Sequence, residues 1–217
     1  MEIKKFANNV LIFSINRFIE ILGVCIVVIG IFLLVSLVSF SPDDPNFIFP
    51  DNTQIKNLLG YQGSYSADLF FQSFGLISLL IPFSLILTGT SIILSKKIFL
   101  IVESNFFTIL YLLCGSLFFS IFYTNGFELY INGQGGFVGN YLKTTFLNSL
   151  INFNIDIAYY LLILLITFLF LITIQFKVHF FYKIIKKTFS FLFLKKQKSY
   201  TNENEIINEF IPQDQIK

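Results

Sequence analysis

The chain alternates long apolar stretches with shorter polar segments, and four of the stretches are long enough to cross a lipid bilayer. A transmembrane helix needs about 20 predominantly apolar residues, because each residue adds about 1.5 Å across a hydrocarbon core about 30 Å thick. The stretches that satisfy this rule are Ile21 to Phe40, Leu69 to Leu94, Phe106 to Tyr123 and Ile157 to Phe176. The pattern predicts an all-α membrane protein with four transmembrane helices.

The composition excludes a soluble globular domain. Of the 217 residues, 55% are hydrophobic and only 13% are charged, and the mean hydropathy is +0.74. A soluble domain carries roughly 25% charged residues.

The first apolar stretch follows Lys4, Lys5 and Arg17, as in a signal peptide. It is interpreted as an uncleaved helix, because it is too long and no small-x-small cleavage site follows it.

The distribution of Lys and Arg predicts the orientation in the membrane. Three of these residues precede the first stretch, two lie in the 95–104 loop and eight follow Phe176, whereas the 41–67 and 124–155 loops hold one each. Because short loops rich in Lys and Arg stay in the cytoplasm, both termini are predicted to lie inside.

The flanking segments differ in character from the four stretches. At the start, Ile3, Phe6, Val10 and Phe13 recur at helical spacing, which predicts a short helix on the inner leaflet. We divide the chain into a cytoplasmic or interfacial segment (1–17), a four-helix transmembrane domain (18–176), a basic juxtamembrane amphipathic segment (177–194) and a polar cytoplasmic linker (195–217). The basic segment either lies on the anionic inner leaflet or continues the fourth helix. Its inner-leaflet cations include Lys177, Lys183, Lys186 and Lys187.

The two predicted outer loops resemble each other. The first contains Gly60-Tyr-Gln-Gly63-Ser-Tyr and the second contains Gly136-Phe-Val-Gly139-Asn-Tyr, each on the way to the next apolar stretch. This short internal repeat predicts two duplicated helical hairpins.

Proline, aspartate and glycine positions predict where helices end, bend and pack. A turn is expected at Pro42, Asp43, Asp44 and Pro45, where prolines remove backbone donors and aspartates cap the chain. Asp68 is expected to open the second helix, and Pro82 to kink it. Close helix packing is expected at four glycines, namely Gly23, Gly30, Gly75 and Gly89.

Catalytic and metal-binding motifs were sought and rejected. Cys25 and Cys114 lie inside apolar runs and predict neither a disulfide nor a metal site. The glycines at 133–139 lack the strand and acidic partner of a nucleotide-binding loop. The single histidine, His179, has no Ser, Cys or Asp arrangement around it. No catalytic, cofactor-binding or metal-binding residue is therefore predicted.

The middle of each apolar stretch lacks Asp, Glu, Lys and Arg. Ion-coupled transporters and proton relays usually need ionisable groups there, because the translocated charge must be met inside the membrane. This argues against an ion-coupled transporter, whereas a small carrier or channel for a neutral or lipid-like solute stays open as an alternative. A stand-alone lipid-binding structural protein is a third possibility.

The order of these features resembles a known family. The Ser-Pro-Asp-Asp-Pro turn at 41–45 is followed by the Asn57 to Leu69 segment, then by Phe74-Gly75 and Pro82, and later by the glycines at 135–139. This order is similar to that of the N-terminal four-span region of the FtsK/SpoIIIE family of bacterial DNA translocases, from about Arg17 to Phe176.

The resemblance implies an inner-membrane anchor at the division septum that acts in cell division and chromosome segregation. It implies contacts with other septal membrane proteins, self-association as a hexamer, and a tethered ATP-driven motor that handles DNA. ATP and Mg²⁺ would bind only that motor, whose phosphate-binding loop is not found in these 217 residues. A fragment, a split gene product and a stand-alone anchor are all compatible with the sequence.

Overall fold

The computed structural model describes residues 2–45, 54–124 and 132–175, and in these ranges the regular structure is entirely helical. Two pairs of long helices form its body, and shorter helices join them. The elements are α1 (Glu2–Val38), α2 (Gly60–Phe74), a 3-10 helix (Gly75–Leu79), α3 (Leu80–Ser95), α4 (Leu100–Phe122), α5 (Gly136–Lys143), α6 (Phe146–Phe153) and α7 (Ile155–Thr173).

Four helical segments are long and apolar enough to span a membrane, which confirms the predicted number. They are Asn8–Val38, Gly60–Ser95, Leu100–Phe122 and Ile155–Thr173. The first is part of one uninterrupted helix from Glu2, so the short inner-leaflet helix predicted around Val10 is not a separate element. The reason is local: the sequence between Glu2 and Gly23 contains no Gly or Pro that would end a helix.

The second span is broken at Gly75, not at Pro82 as predicted. The five residues Gly75–Leu79 form a 3-10 helix between α2 and α3, and Gly75 has φ of 71° and ψ of −151°. Pro82 is the third residue of α3, and in the first turn its missing N–H breaks no hydrogen bond within the helix. Asp68 lies in the middle of α2 rather than at its start, because α2 already begins at Gly60.

Two helix pairs, α1 with α3 and α4 with α7, form the most extensive contacts. Small residues let the first pair approach closely, since a Cβ built on Gly23 would lie 3.0 Å from the carbonyl oxygen of Gly89. In the second pair the ring of fully buried Tyr111 meets Phe170 edge to face, with 5.7 Å between ring centres. Cys25 is exposed and Cys114 is half-buried, and both are free thiols.

The α3–α4 turn defines one end of the bundle. Glu20 pairs with Arg17, as predicted, and also with Lys96 in this turn, with 3.1 Å between Oε1 and Nζ. From Glu20 to Val38, α1 rises about 28 Å, which matches the hydrocarbon thickness of about 30 Å. The 3-10 helix and α3 together rise about 34 Å, so Gly75 to Ser95 is enough for the second crossing. We therefore expect helix α2, which packs on α5, to lie beyond the far end of that crossing.

Candidate interaction site: the cap and its glycine junction

The helices α2, α5 and α6, with the turns that lead to them, form what we call the cap. Its first part is the turn after α1, where the backbone N–H of Asp44 donates to the carbonyl of Ser41 at 3.2 Å. The buried Asp44 carboxylate accepts hydrogen bonds from the backbone N–H groups of Lys56 and Asn57, both at 2.8 Å. Exposed Asp43 instead pairs with the Lys56 ammonium at 2.7 Å. The carboxylates of Asp43 and Asp44 thus connect the two ends of the first loop.

Asn57 connects this turn to the end of α1. Its Nδ2 donates to the carbonyls of Ser36 (2.9 Å) and Ser39 (3.3 Å), and its Oδ1 accepts from the N–H of Leu59 at 3.1 Å. The Ser36 hydroxyl donates to the carbonyl of Gly63. A Cβ at Gly63 would lie 2.1 Å from Asn57 Oδ1, so only glycine leaves room for this amide.

Ser64 and Pro45 close the same region. The Ser64 hydroxyl donates to the carbonyl of Pro45 at 2.7 Å, and both residues are fully buried. The predicted turn residues Pro42, Asp43, Asp44 and Pro45 therefore lie together with Gly63 in one hydrogen-bonded unit. Gly60, by contrast, begins α2 with φ of +63° and has no atom within 4 Å of an added Cβ.

The break in the second span lies directly against the start of α5. The backbone N–H of Leu76 donates to the carbonyl of Gln134 at 2.9 Å. A Cβ on Gly75 would lie 1.8 Å from that carbonyl oxygen, and a Cβ on Gly136 would lie 2.5 Å from the Gly75 nitrogen. We call this contact between the main chains of Gly75 and Gln134–Gly136 the glycine junction. At this point the two halves of the cap meet through main-chain atoms.

Helix α5 also packs tightly on α4. A Cβ on Gly139 would lie 2.2 Å from the carbonyl oxygen of Ser116, and one on Gly135 would lie 2.5 Å from Ser120 Cβ. The Ser116 hydroxyl donates to the carbonyl of Phe74 at 2.9 Å, immediately before the junction. Serines on α4 thus contact both α5 and the end of α2.

A chain of polar side chains runs across the cap from α2 to α5. The amide of Gln72 donates to Asp68 at 3.4 Å, and Asn132 Nδ2 donates to Gln72 Oε1 at 3.2 Å. Asn140 Nδ2 donates to the carbonyl of Asn132 at 2.7 Å, while its Oδ1 accepts from the hydroxyl of Ser120 at 2.9 Å. At its end, the Lys143 ammonium donates to the carbonyl of Ser120 at 3.2 Å. Buried Asp68 therefore belongs to a hydrogen-bonded network inside the cap.

Helices α2 and α5 share local geometry at matching positions of the two loops. Gly60 and Gly136 both begin a helix with positive φ, +63° and +65°. Four residues apart on each helix, two aromatic rings stack, with 6.2 Å between Tyr61 and Tyr65 and 6.4 Å between Phe137 and Tyr141. Three of these four rings are more than half exposed.

The remaining predicted residues lie elsewhere. Gly23, Gly30 and Gly89 lie between α1 and α3, and Pro82 lies in the first turn of α3. The basic residues Lys177, Lys183, Lys186 and Lys187, with His179, fall outside the described residues. Pattern reading missed Ser36, Gln134 and the α4 serines, since isolated polar residues beside apolar runs carry no periodic signal. Asn57 entered only through the family resemblance, without a structural role.

The polar side chains of the cap hold its loops in place. In the ranges 2–45, 54–124 and 132–175, no group of three or more His, Cys, Asp or Glu lies close enough to hold a metal ion. Its polar side chains are bonded mainly to main-chain carbonyl and N–H groups, which fixes loop positions. The arrangement supports a rigid surface on one side of a membrane.

Comparison with known proteins identifies the chain's relatives. The family profile described as the 4TM region of DNA translocase FtsK/SpoIIIE matches residues 16–185. Three similar curated proteins are named DNA translocase FtsK. The one from Rickettsia bellii (strain RML369-C) is 33% identical over 82 residues, which cover 36% of this chain and 11% of the relative. The one from Rickettsia prowazekii (strain Madrid E) is 32% identical over 82 residues, with the same coverage.

The third relative, from Rickettsia typhi (strain ATCC VR-144 / Wilmington), is 34% identical over 62 residues, which cover 29% of this chain and 8% of the relative. The matched part therefore spans about a tenth of the length of these curated relatives. No solved structure matches the chain.

Proposed function

Because the chain belongs to the family of 4TM membrane regions of FtsK/SpoIIIE DNA translocases, we propose that it anchors such a translocase in the bacterial inner membrane at the division septum. The match covers the membrane region of the family and no part of a motor. The resemblance stated from the sequence is thereby confirmed for the membrane region. Its contribution is location and assembly in cell division and chromosome segregation.

The glycine junction is the observation that supports this role best. It joins the two halves of the cap through main-chain atoms, and α5 in turn packs on α4, so the cap presents one defined surface beside the membrane. A rigid surface of this kind suits recognition of other septal membrane proteins, because little ordering entropy is lost on binding. The partners proposed are those proteins and further copies of this chain, assembled as a hexamer.

The orientation proposed is N-in and C-in. The α3–α4 turn carries Lys96 and Lys97, and Lys96 pairs with Glu20 near the first cytoplasmic segment. Cations concentrate at this end and in the segments beyond α7, which is the cytoplasmic pattern. The cap then faces the periplasm, and the 195–217 segment leads toward a cytoplasmic motor. ATP, Mg²⁺ and DNA would be bound by that motor and not by the four helices.

A duplicated hairpin is proposed as the plan of the bundle. In each half a long helix is followed by a loop, a glycine-started helix with a stacked aromatic pair, and a second spanning helix. Helices α2 and α5 would then be equivalent elements that meet at the junction.

Localisation of fluorescent fusions tests the septal role. Gly63→Val should displace Asn57 from the cap and Asp68→Lys should break the polar network, so both should reduce septal fluorescence with the protein still inserted. Gly60→Ala is the matched control, because it introduces the strain of a side chain at positive φ but its added Cβ meets no atom. Normal septal placement of both variants would contradict the proposal. Solute flux through vesicles that contain only this chain would instead support a carrier.

A reporter fused after Lys217 tests the orientation independently. Activity of a cytoplasmic reporter is expected, and activity of a periplasmic one would show an inverted or odd-numbered topology.

A further inference from the structure

A cavity of about 80 Å³ lies between α1, α3 and α4, away from the cap. Five of its nine lining residues are polar, although all nine belong to membrane-spanning segments. Polar side chains are costly in hydrocarbon unless they are satisfied, so their concentration at one cavity calls for a ligand or for mutual pairing. The lining residues are Ile26, Ile81, Ser84, Leu85, Thr88, Ile101, Ser104, Asn105 and Thr108.

Helices α3 and α4 face the cavity with equivalent stripes. Each stripe has positions i, i+3, i+4 and i+7, which form one face of a helix. On α3 these positions are Ile81, Ser84, Leu85 and Thr88, and on α4 they are Ile101, Ser104, Asn105 and Thr108. The stripes match in type except at the third position, where α4 carries an amide instead of leucine.

Hydroxyl pairing accounts for most of the polar lining. Thr88 Oγ1 and Ser104 Oγ lie 2.6 Å apart, and the hydroxyls of Ser84 and Tyr111 lie 2.9 Å apart. Asn105 differs from all of these, because its exposed side-chain amide has no hydrogen bond to any described residue. Two N–H donors are thus available at the mouth of the cavity.

Asn105 lies near the α3–α4 end of the bundle, where we expect the ester groups of lipids in that leaflet. It is the sixth residue of α4, so it lies about 7 Å along the helix from Leu100 at the α3–α4 end. Between α3 and α4, the exposed Lys97 side chain has no ion pair or hydrogen bond to a described residue. The exposed carboxylate of Glu103 is on the first turn of α4 and does not line the cavity.

We propose that this cavity binds a diester phospholipid from the leaflet at the α3–α4 end, which is the inner leaflet in the proposed orientation. The Asn105 amide donates to an ester carbonyl of the lipid, and Lys97 contacts the phosphate at the membrane surface. The ester group enters the cavity, and the acyl chains follow the apolar surface of α4.

Native mass spectrometry of the full chain in mild detergent tests the proposal with two lipids that share one headgroup. These are phosphatidylglycerol with two ester linkages and its analogue with two ether linkages, which lacks the carbonyls. We expect the diester lipid to bind about three- to tenfold more tightly, as one hydrogen bond permits. Equal affinity for the two lipids would overturn the assignment.

Variants then locate the contact. Asn105→Leu should weaken binding of the diester lipid to the level of the diether lipid and leave the latter unchanged, whereas Lys97→Gln should weaken both alike. Asn152→Leu is the matched control, because this exposed amide on α6 bonds only to neighbouring Asn148. Unchanged diester binding in Asn105→Leu would overturn the proposal. So would loss of a dimer with lipid binding intact, which would assign Asn105 to a contact between copies.

Discussion

Replacing Gly75 by alanine should destabilise the protein more than the same substitution at Gly133, a glycine that also has positive φ. Gly75 combines a φ of 71° with a ψ of −151°, a region that is essentially restricted to glycine. The added Cβ would also lie 1.8 Å from the carbonyl oxygen of Gln134, a main-chain atom that has no rotamer to escape into. The substitution therefore forces the α2 end and the α5 start apart.

The expected loss of unfolding free energy has two parts. Adoption of the strained conformation costs about 1–3 kcal/mol. Separation of the junction breaks the bond from Leu76 N–H to Gln134, and a buried unpaired group costs about 1–3 kcal/mol. Together these give about 2–6 kcal/mol for Gly75→Ala. Gly133→Ala should cost only about 1–2 kcal/mol, because Gly133 has φ of +64° but no atom near an added Cβ.

Unfolding by sodium dodecyl sulfate in mixed micelles, followed by far-ultraviolet circular dichroism, compares the two variants with the wild type. The chain contains no Trp, so helicity is the direct signal. A Gly75→Ala loss no larger than that of Gly133→Ala would refute the steric argument, because both positions share positive φ and differ in the main-chain contact.

Three further changes test other parts of the structure. Gly89→Val should lower the unfolding free energy by about 2–4 kcal/mol in the same assay, since its Cβ would lie 2.8 Å from the Gly23 carbonyl oxygen; an unchanged transition would contradict the close α1–α3 packing. Asp44→Ala should cost about 2 kcal/mol by leaving two N–H groups without their acceptor, whereas Asp43→Ala, which removes an exposed ion pair, should cost under about 1 kcal/mol; equal losses would contradict the capping role. A Trp at Phe137 should be quenched most by lipids brominated near the headgroup and one at Ile109 by lipids brominated deep in the chain; identical quenching profiles would contradict the interfacial position of the cap.

The sequence was sufficient for the number of spans and for the family, because both depend on long-range averages of hydropathy and on motif order. It was also sufficient for the Arg17–Glu20 pair, which depends only on helical spacing. The helix boundaries were less accurate. Helix α4 begins at Leu100 rather than Phe106, since polar Glu103, Ser104 and Asn105 lowered the local hydropathy without ending the helix.

The architecture of the cap was not predictable from these patterns. Helices α5 and α6 are eight residues each, too short to show a clear apolar period. The break was predicted at Pro82, because this proline lies in the middle of a long apolar stretch. In the structure α3 begins at Leu80, so Pro82 lies in its first turn, where proline is tolerated. The contact between Gly75 and Gly136 joins residues far apart in the chain, so no local rule indicates it.

The glycine junction is made by main-chain atoms, so the sequence around it can change as such proteins diverge. Carbonyl and N–H groups are the same in every residue, so the contact does not depend on the side chains that surround it. The helices on either side can therefore exchange one apolar residue for another over many generations while the docking geometry is retained. Saturation mutagenesis would show this as glycine alone accepted at Gly75 and Gly136, and at Gly135 and Gly139 where α5 meets α4, with wide substitution among the apolar residues around them.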